Sequence, residues 1–279
     1  MRLPRPRGWL PLFGLLAYLV FLVAGTPASW LAYAVDRGSQ DHVLLLNPQG
    51  TLWNGKAELL LNRGRPEPAY LGTLHWNIST WRLLTLTLGA RLRLEEGDNS
   101  AKAIVYLRHN GVRLRGVRAD IDVASLAPLI PALSLFGVGG HVSIRSPALS
   151  LIPQHLTGSA QVDWDRATTA SLGNKPFGTY SADISTIGDS FHVDVNSRGT
   201  GALRVQGSGS WSPFTNGLAR FDGTVQSMDA KRFPPQMLAF VGQDAGGGKR
   251  RVHYQRFLRL PWGTARATTG ATRRATPHR

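Results

Sequence analysis

Along LTLTLGARLRLE, apolar side chains fall on every second position. Leu84, Leu86, Leu88, Ala90, Leu92 and Leu94 share one parity, while Thr85, Thr87, Gly89, Arg91, Arg93 and Glu95 share the other. A period of two predicts a β-strand with one dry face. The same alternation recurs in HVSIR (141–145), SAQVDWD (159–165), FHVDV (191–195), LRVQGSGSW (203–211) and ARFDGTV (219–225). Turn chemistry separates these runs at Gly97-Asp98-Asn99, Asn110-Gly111, Gly188-Asp189, Asn196 to Gly201 and Asn216-Gly217, so neighbouring strands are predicted to run antiparallel. In GVRLRGVRADIDV the apolar parity switches between Leu114 and Val117, which predicts a β-bulge near Arg115-Gly116.

Two blocks depart from this pattern. VASLAPLIPALSLFG (123–137) and MDAKRFPPQMLAFVG (228–242) combine prolines with dense apolar runs and end at glycine, and both predict short helices or helical turns. Each follows a set of strands rich in Gly and Trp, so a sheet made of two related halves is one arrangement the chain allows. From Gly246 onward the apolar pattern lapses, and a disordered tail is expected.

At the other end, residues 8–35 carry no charge. The run is long enough to cross a hydrocarbon core of about 30 Å as a helix. Arg2, Arg5 and Arg7 before it predict a cytoplasmic N-terminus and an exported bulk. A cleaved signal peptide has similar regions, but here the apolar stretch continues to Val35 and no clean A-x-A site closes it, so an anchor is expected. The predicted class is mainly β: a transmembrane helix, then a curved, largely antiparallel sheet with two short helices and a disordered basic tail. The corresponding divisions are a cytoplasmic tail (1–7), a transmembrane helix (8–35), a β-rich periplasmic domain (36–245) and a low-complexity basic tail (246–279).

Charge and composition narrow the functional classes. The formal net charge is +15, yet nine of the cations lie after Asp244, the last acidic residue, and three more at Arg2, Arg5 and Arg7. The middle is close to neutral, which argues against nucleic acid as a partner. There is no cysteine, so neither disulfides nor thiolate metal sites are available. The eight histidines never fall at metal-ligand spacing, and no phosphate-cradling or nucleophile-elbow motif occurs. Asp120 with Asp122 and Asp163 with Asp165 are two apart on strands, where alternation puts them on the wet face rather than in a catalytic pair. No catalytic residue, metal or cofactor is predicted, and an enzyme is not expected.

The tryptophans carry the more specific signal. Gly72 precedes Trp76 by four residues, Gly207 precedes Trp211 by four, and Gly158 precedes Trp164 by six. Each glycine therefore shares its tryptophan's face, and a ring can lie over the gap left by a neighbouring strand's glycine. In GTLWNGKA, the spacing of three between Gly50 and Trp53 instead predicts Gly50 and Thr51 as a turn, with Trp53, Gly55, Ala57, Leu59 and Leu61 as a buried row.

With these motifs in order, the chain resembles the protein N family of the bacterial type II (general) secretion pathway. The resemblance spans roughly residues 8–242. Its most specific parts are Gly50, Thr51, Trp53, Gly55 and Ala57, then Gly72, Trp76 and Trp81 to Leu84; Gly158 to Ala167, including Trp164, and Leu172 to Tyr180 agree more loosely. The resemblance implies a single-pass inner-membrane accessory subunit whose periplasmic bulk contacts the inner-membrane platform and the outer-membrane secretin. It implies no active site. The sequence departs from the family at its end, where the Arg-rich run after Gly246 replaces an expected last strand, through a native difference or a shifted reading frame. The alternative reading is an AsmA-like periplasmic protein that binds or transfers lipid along an open apolar sheet face.

Overall fold

The structure is a computed structural model. It describes residues 9–258 except for 63–67, 80–87, 109–110, 127–136, 153–154, 216, 233–237 and 239–241. Two helices come first, α1 (Trp9–Ala24) and α2 (Ala28–Ser39). The first strands are β1 (Val43–Gly50), β2 (Asn54–Leu61), β3 (Ala69–Ser79), β4 (Leu88–Glu96), β5 (Asn99–Arg108), β6 (Gly111–Asp122) and β7 (Val138–Ile152). They are followed by β8 (His155–Thr169), β9 (Gly178–Ile187), β10 (Ser190–Arg198), β11 (Leu203–Trp211), β12 (Leu218–Ser227), β13 (Gln243–Gly246) and β14 (Lys249–Phe257). All belong to one antiparallel sheet in which β1 to β12 lie in chain order, then β14, then β13 at the edge.

The short connections explain the topology. Glu96 pairs with Asn99 across Gly97-Asp98, and Ile187 with Ser190 across Gly188-Asp189, so two-residue turns close both hairpins. The expected bulge is present: Ala103 on β5 faces both Gly116 and Val117, because the register passes from Lys102–Arg118 to Ile104–Arg115. Gly116 has φ of +58°, which glycine adopts without a Cβ penalty.

The apolar N-terminal run is two helices rather than the single transmembrane helix predicted over 8–35. It breaks at Gly25-Thr26-Pro27: proline offers no N–H and disfavours a helical Thr26, whose hydroxyl turns back to the Val23 carbonyl at 2.9 Å. The sixteen residues of α1 extend about 24 Å at about 1.5 Å per residue, short of a core of about 30 Å. No described helix is long and apolar enough to cross a membrane. Helix α2 belongs with the sheet. Ala28, Leu31, Ala32 and Val35, at i, i+3, i+4 and i+7, turn to a cluster containing Leu45, Ala57, Trp76, Ile78 and Ala90.

Other expectations also need correction. The two halves are one uninterrupted sheet, although its dry face has two separate hydrophobic clusters, the second around Ala167, Phe177, Tyr180, Leu203, Val225 and Leu238. Of the two predicted helical blocks, the first shows a 3₁₀ turn at Val123–Leu126, and 127–136 lie outside the described residues. In the second, 228–232 form a bend and turns, and most of the remainder is likewise outside. The tail expected to be disordered from Gly246 includes a nine-residue strand, β14, which pairs with β12 from Leu218–Phe257 to Gln226–Lys249. Its cations project from a strand whose backbone bonds are made by β12, so a weak apolar pattern suffices.

Candidate functional site

The GTLWNG segment joins the helices to the sheet. Thr51 forms a bridge with Pro27, the Leu52 N–H donates to the Thr26 carbonyl at 2.8 Å, and Trp53 Nε1 donates to the Val23 carbonyl at 2.7 Å. Val23 is in the last turn of α1, whose final carbonyls have no intrahelical partner, so Trp53 caps that helix from the sheet. Trp76 locks the same segment from beneath: it is 2% exposed, and its Nε1 is 3.1 Å from the Leu52 carbonyl and 3.3 Å from that of Thr51. The Ile78 N–H donates to the Trp53 carbonyl at 2.6 Å. Gly50 ends β1 with φ of +90° and faces Gly55 directly. The turn therefore falls later than predicted: Gly50 and Thr51 are in ladder positions, the Thr51 N–H donates to the Asn54 carbonyl at 2.9 Å, and the chain reverses at Leu52 and Trp53, ahead of β2. Of the predicted row, Ala57 is buried at 2%, while Trp53 and Leu59 pack against the same cluster partly buried.

Gly55 faces Trp76 across β2 and β3. A Cβ on Gly55 would lie 2.6 Å from Trp76 Cζ2, so the ring occupies the space the glycine leaves. The Trp164 ring likewise covers Gly140 on β7, where a Cβ would lie 2.8 Å from Nε1. Neighbouring-strand glycines therefore receive the rings of Trp76 and Trp164, as predicted, but not that of Trp211. The same-strand glycines do not: the space at Gly72 is closed by Glu95 and Glu96, at Gly158 by Ala148 and Leu149, and at Gly207 by Asp222 and Phe221. Trp211 stacks on its cross-strand partner Phe191, ring centroids 5.8 Å apart, and donates to the Leu258 carbonyl at 3.0 Å. Trp81 lies outside the described residues. Trp164 packs with Phe177 and Tyr180 at centroid distances of 6.2 and 5.6 Å. Tyr180 donates its hydroxyl to the Leu203 carbonyl at 3.0 Å, and burial pushes its phenol pKa up.

The opposite face is polar and ordered by register. One unbroken row of direct cross-strand partners begins at Lys56 on β2 and continues through His75, Arg93, Lys102, Arg118 and Arg145 on β3 to β7. It crosses Gln161 on β8 and goes on through Asp183, Asp194, Ser208, Asp222 and His253 on β9, β10, β11, β12 and β14. Arg93, Lys102, Arg118 and Arg145 line a recess of about 500 Å³. The predicted wet aspartates divide. Asp120, Asp122 and Asp165 are exposed, and Asp122 caps the 3₁₀ turn through the Ala124 N–H at 2.8 Å. Asp163 is buried at 8% and pairs with Arg198 at 3.0 Å, because β10 brings that guanidinium over it. Among the described residues, no three His, Asp or Glu side chains converge as a metal site.

A family model described as type II secretion system (T2SS), protein N, matches residues 41–253. The chain belongs to the type II secretion system protein N family. The match runs from just before β1 into β14 and so takes in the whole sheet order, including the strand that replaces the expected tail. Membership in the protein N family assigns the chain an accessory role in type II secretion, with other secretion subunits as partners. No curated protein and no solved structure matches the chain.

Proposed function

We propose that the chain is an inner-membrane-anchored accessory subunit of the type II secretion machine that works by protein contact rather than chemistry. The observation that carries this reading is the clasp between GTLWNG and the break at Gly25-Thr26-Pro27, which fixes α1 relative to the first strands. Helix α1 is apolar all round: Leu12, Phe13, Leu15, Leu16, Tyr18 and Phe21 are all more than half exposed. Such a helix is at home in lipid. With α1 inserted in the bilayer, the clasp transmits its orientation to β1 and β2, and the far end of the sheet reaches away from the membrane.

Partner contact is supported by the far edge. Beyond Arg251, no described strand pairs with the outer side of β14, and unpaired strand groups accept an added strand. The inner-membrane platform and the outer-membrane secretin are the proposed partners. The test is density-gradient fractionation of cells, combined with a photoreactive residue at Tyr254. The chain is expected in the inner-membrane fraction, cross-linked to another secretion subunit. Quantitative release by osmotic shock, or no cross-link in a secreting cell, overturns the proposal.

A lipid-binding reading has one specific observation behind it. An apolar cavity of about 180 Å³ opens on the dry face between Leu94, Ala101, Ile121 and Leu126. Native mass spectrometry of the purified chain tests it: phospholipid bound in stoichiometric amount supports it, and its absence refutes it.

A further inference from the structure

The polar row changes sign at its centre, and its order is self-complementary. One strand to either side of Gln161 stand Arg145 and Asp183; two strands out stand Arg118 and Asp194. Three strands out are Lys102 and Ser208, and four out are Arg93 and Asp222. We propose that two copies of this chain meet on this face, about a two-fold axis that runs along β8 above Gln161.

Such an axis keeps strand direction and exchanges the two halves of the row. Arg145 of each copy then lies over Asp183 of the other, and Arg118 over Asp194. An isologous interface demands this kind of self-complementarity. Within one copy the arrangement is unfavourable, since like charges directly opposite each other destabilise a sheet. Lys102, Arg118 and Arg145 are consecutive cross-strand neighbours, and Asp183 faces Asp194. Among the described residues, Arg118, Arg145, Asp183 and Asp194 have no ion-pair partner. By contrast, the outer members Arg93 and Asp222 already have partners, Glu95 at 2.6 Å and His253 at 2.5 Å. All four charges within two strands of the axis therefore lack an ion-pair partner among the described residues.

Shape agrees with this centre. Two twisted sheets stack at roughly −30° and about 10 Å apart, and diverge away from the crossing. The five strands β6 to β10 span about 19 Å at about 4.8 Å per strand. In the adjacent row, Arg91 falls over Arg220 of the second copy only four strands out, where the sheets have separated. A partner of a single sign fits less well. An anionic lipid surface attracted to Arg118 and Arg145 is repelled by Asp183 and Asp194 beside them.

The chain has no cysteine, so single cysteines report the geometry directly. A sheet separation of about 10 Å exceeds the Cα reach of a disulfide, about 7 Å, so a short bis-maleimide is the suitable linker. In the purified full-length chain, Gln161→Cys, and independently Ser159→Cys on the same strand, should cross-link to dimers. Ser208→Cys alone should not, whereas Ser208→Cys mixed with Lys102→Cys should. Arg118→Asp should weaken self-association at least about tenfold by sedimentation equilibrium, and adding Asp194→Arg to the same chain should restore it. Salt at about 0.5 M should weaken the dimer by screening. A monomer at micromolar concentration, cross-linking that ignores position, or a double reversal no better than the single one overturns the proposal. Binding to anionic vesicles that Arg118→Asp abolishes while the chain stays monomeric also overturns it, and assigns the cations to head groups.

Discussion

Gly55→Ala tests whether the motif's glycine exists to make room for a ring. The new methyl would lie 2.6 Å from Trp76 Cζ2 and 2.6 Å from the Gln49 carbonyl oxygen, so either the ring tilts or the strands part. Forcing a methyl into a packed site costs about 1–3 kcal/mol. Part of that cost belongs to the ring and part to the β1 backbone, and a second substitution separates them. Trp76→Leu removes the ring and by itself costs about 2–4 kcal/mol, close to other large-to-small core changes. In that background the two ring contacts are gone while the Gln49 carbonyl contact stays, and alanine recovers about 0.5–1 kcal/mol of the backbone entropy that glycine loses. The cost of Gly55→Ala should therefore fall by about 1–2 kcal/mol, the size of a contact coupling. Urea unfolding of the full-length chain in mild detergent, followed by the far-UV sheet signal, measures all four corners of the cycle. Additivity within about 0.5 kcal/mol would refute the reasoning.

Further outcomes follow from other parts of the structure. A chain starting at Ala28 should be more stable by about 3 kcal/mol than one starting at Asp36, because the longer chain keeps Ala28, Leu31, Ala32 and Val35 against the sheet; equal urea midpoints would remove α2 from the fold. Trp53→Phe keeps a ring but loses the bond to Val23, and a loss of about 1 kcal/mol at the clasp should speed proteolytic cutting at 25–27. An unchanged cutting rate would mean that the clasp bears no load. Tyr180→Phe leaves the Leu203 carbonyl without its donor and should cost about 1–2 kcal/mol at neutral pH. Burial also makes the folded chain hold the Tyr180 proton beyond the ordinary pKa of 10.0, so native stability should fall as pH rises above that value. Tyr180→Phe should remove that decline, as read from urea midpoints at about pH 9 and about pH 11.

The strands are legible in the sequence wherever one face is dry and the turn is short. FHVDV and LRVQGSGSW lie within β10 and β11, and the parity switch in GVRLRGVRAD is the bulge at Gly116. The helix break is not legible in the same way, because hydropathy sums over Thr26-Pro27 while the backbone does not. KRRVHYQRF reads as an unpatterned tail because a strand bonded along one side by β12 needs few apolar side chains; Val252 alone of β14 joins the core cluster. At the candidate site, GTLWNG and Trp76 stand out in the sequence, but their role as a clasp depends on hydrogen bonds to residues some 24 to 30 positions away. The charged row is invisible for a related reason. A middle close to neutral by composition is segregated by register, which a linear sequence does not display.

The strand order has a consequence for how such a chain comes into being. From β1 to β12, each strand pairs with the one just before it, so almost every ladder closes within a short loop. Loop closure is then cheap at each step, and a chain delivered N-terminus first can add strands to a growing template as they emerge. Helix α2 and β1 start the template, and the clasp is complete once Ile78 has arrived. The final hairpin is different: β13 is delivered before β14 yet lies outside it, so it must wait for the later strand to dock on β12. Assembly thus runs like a zip with one backward tooth at its end, and the last edge to form is the one proposed above to receive a partner strand.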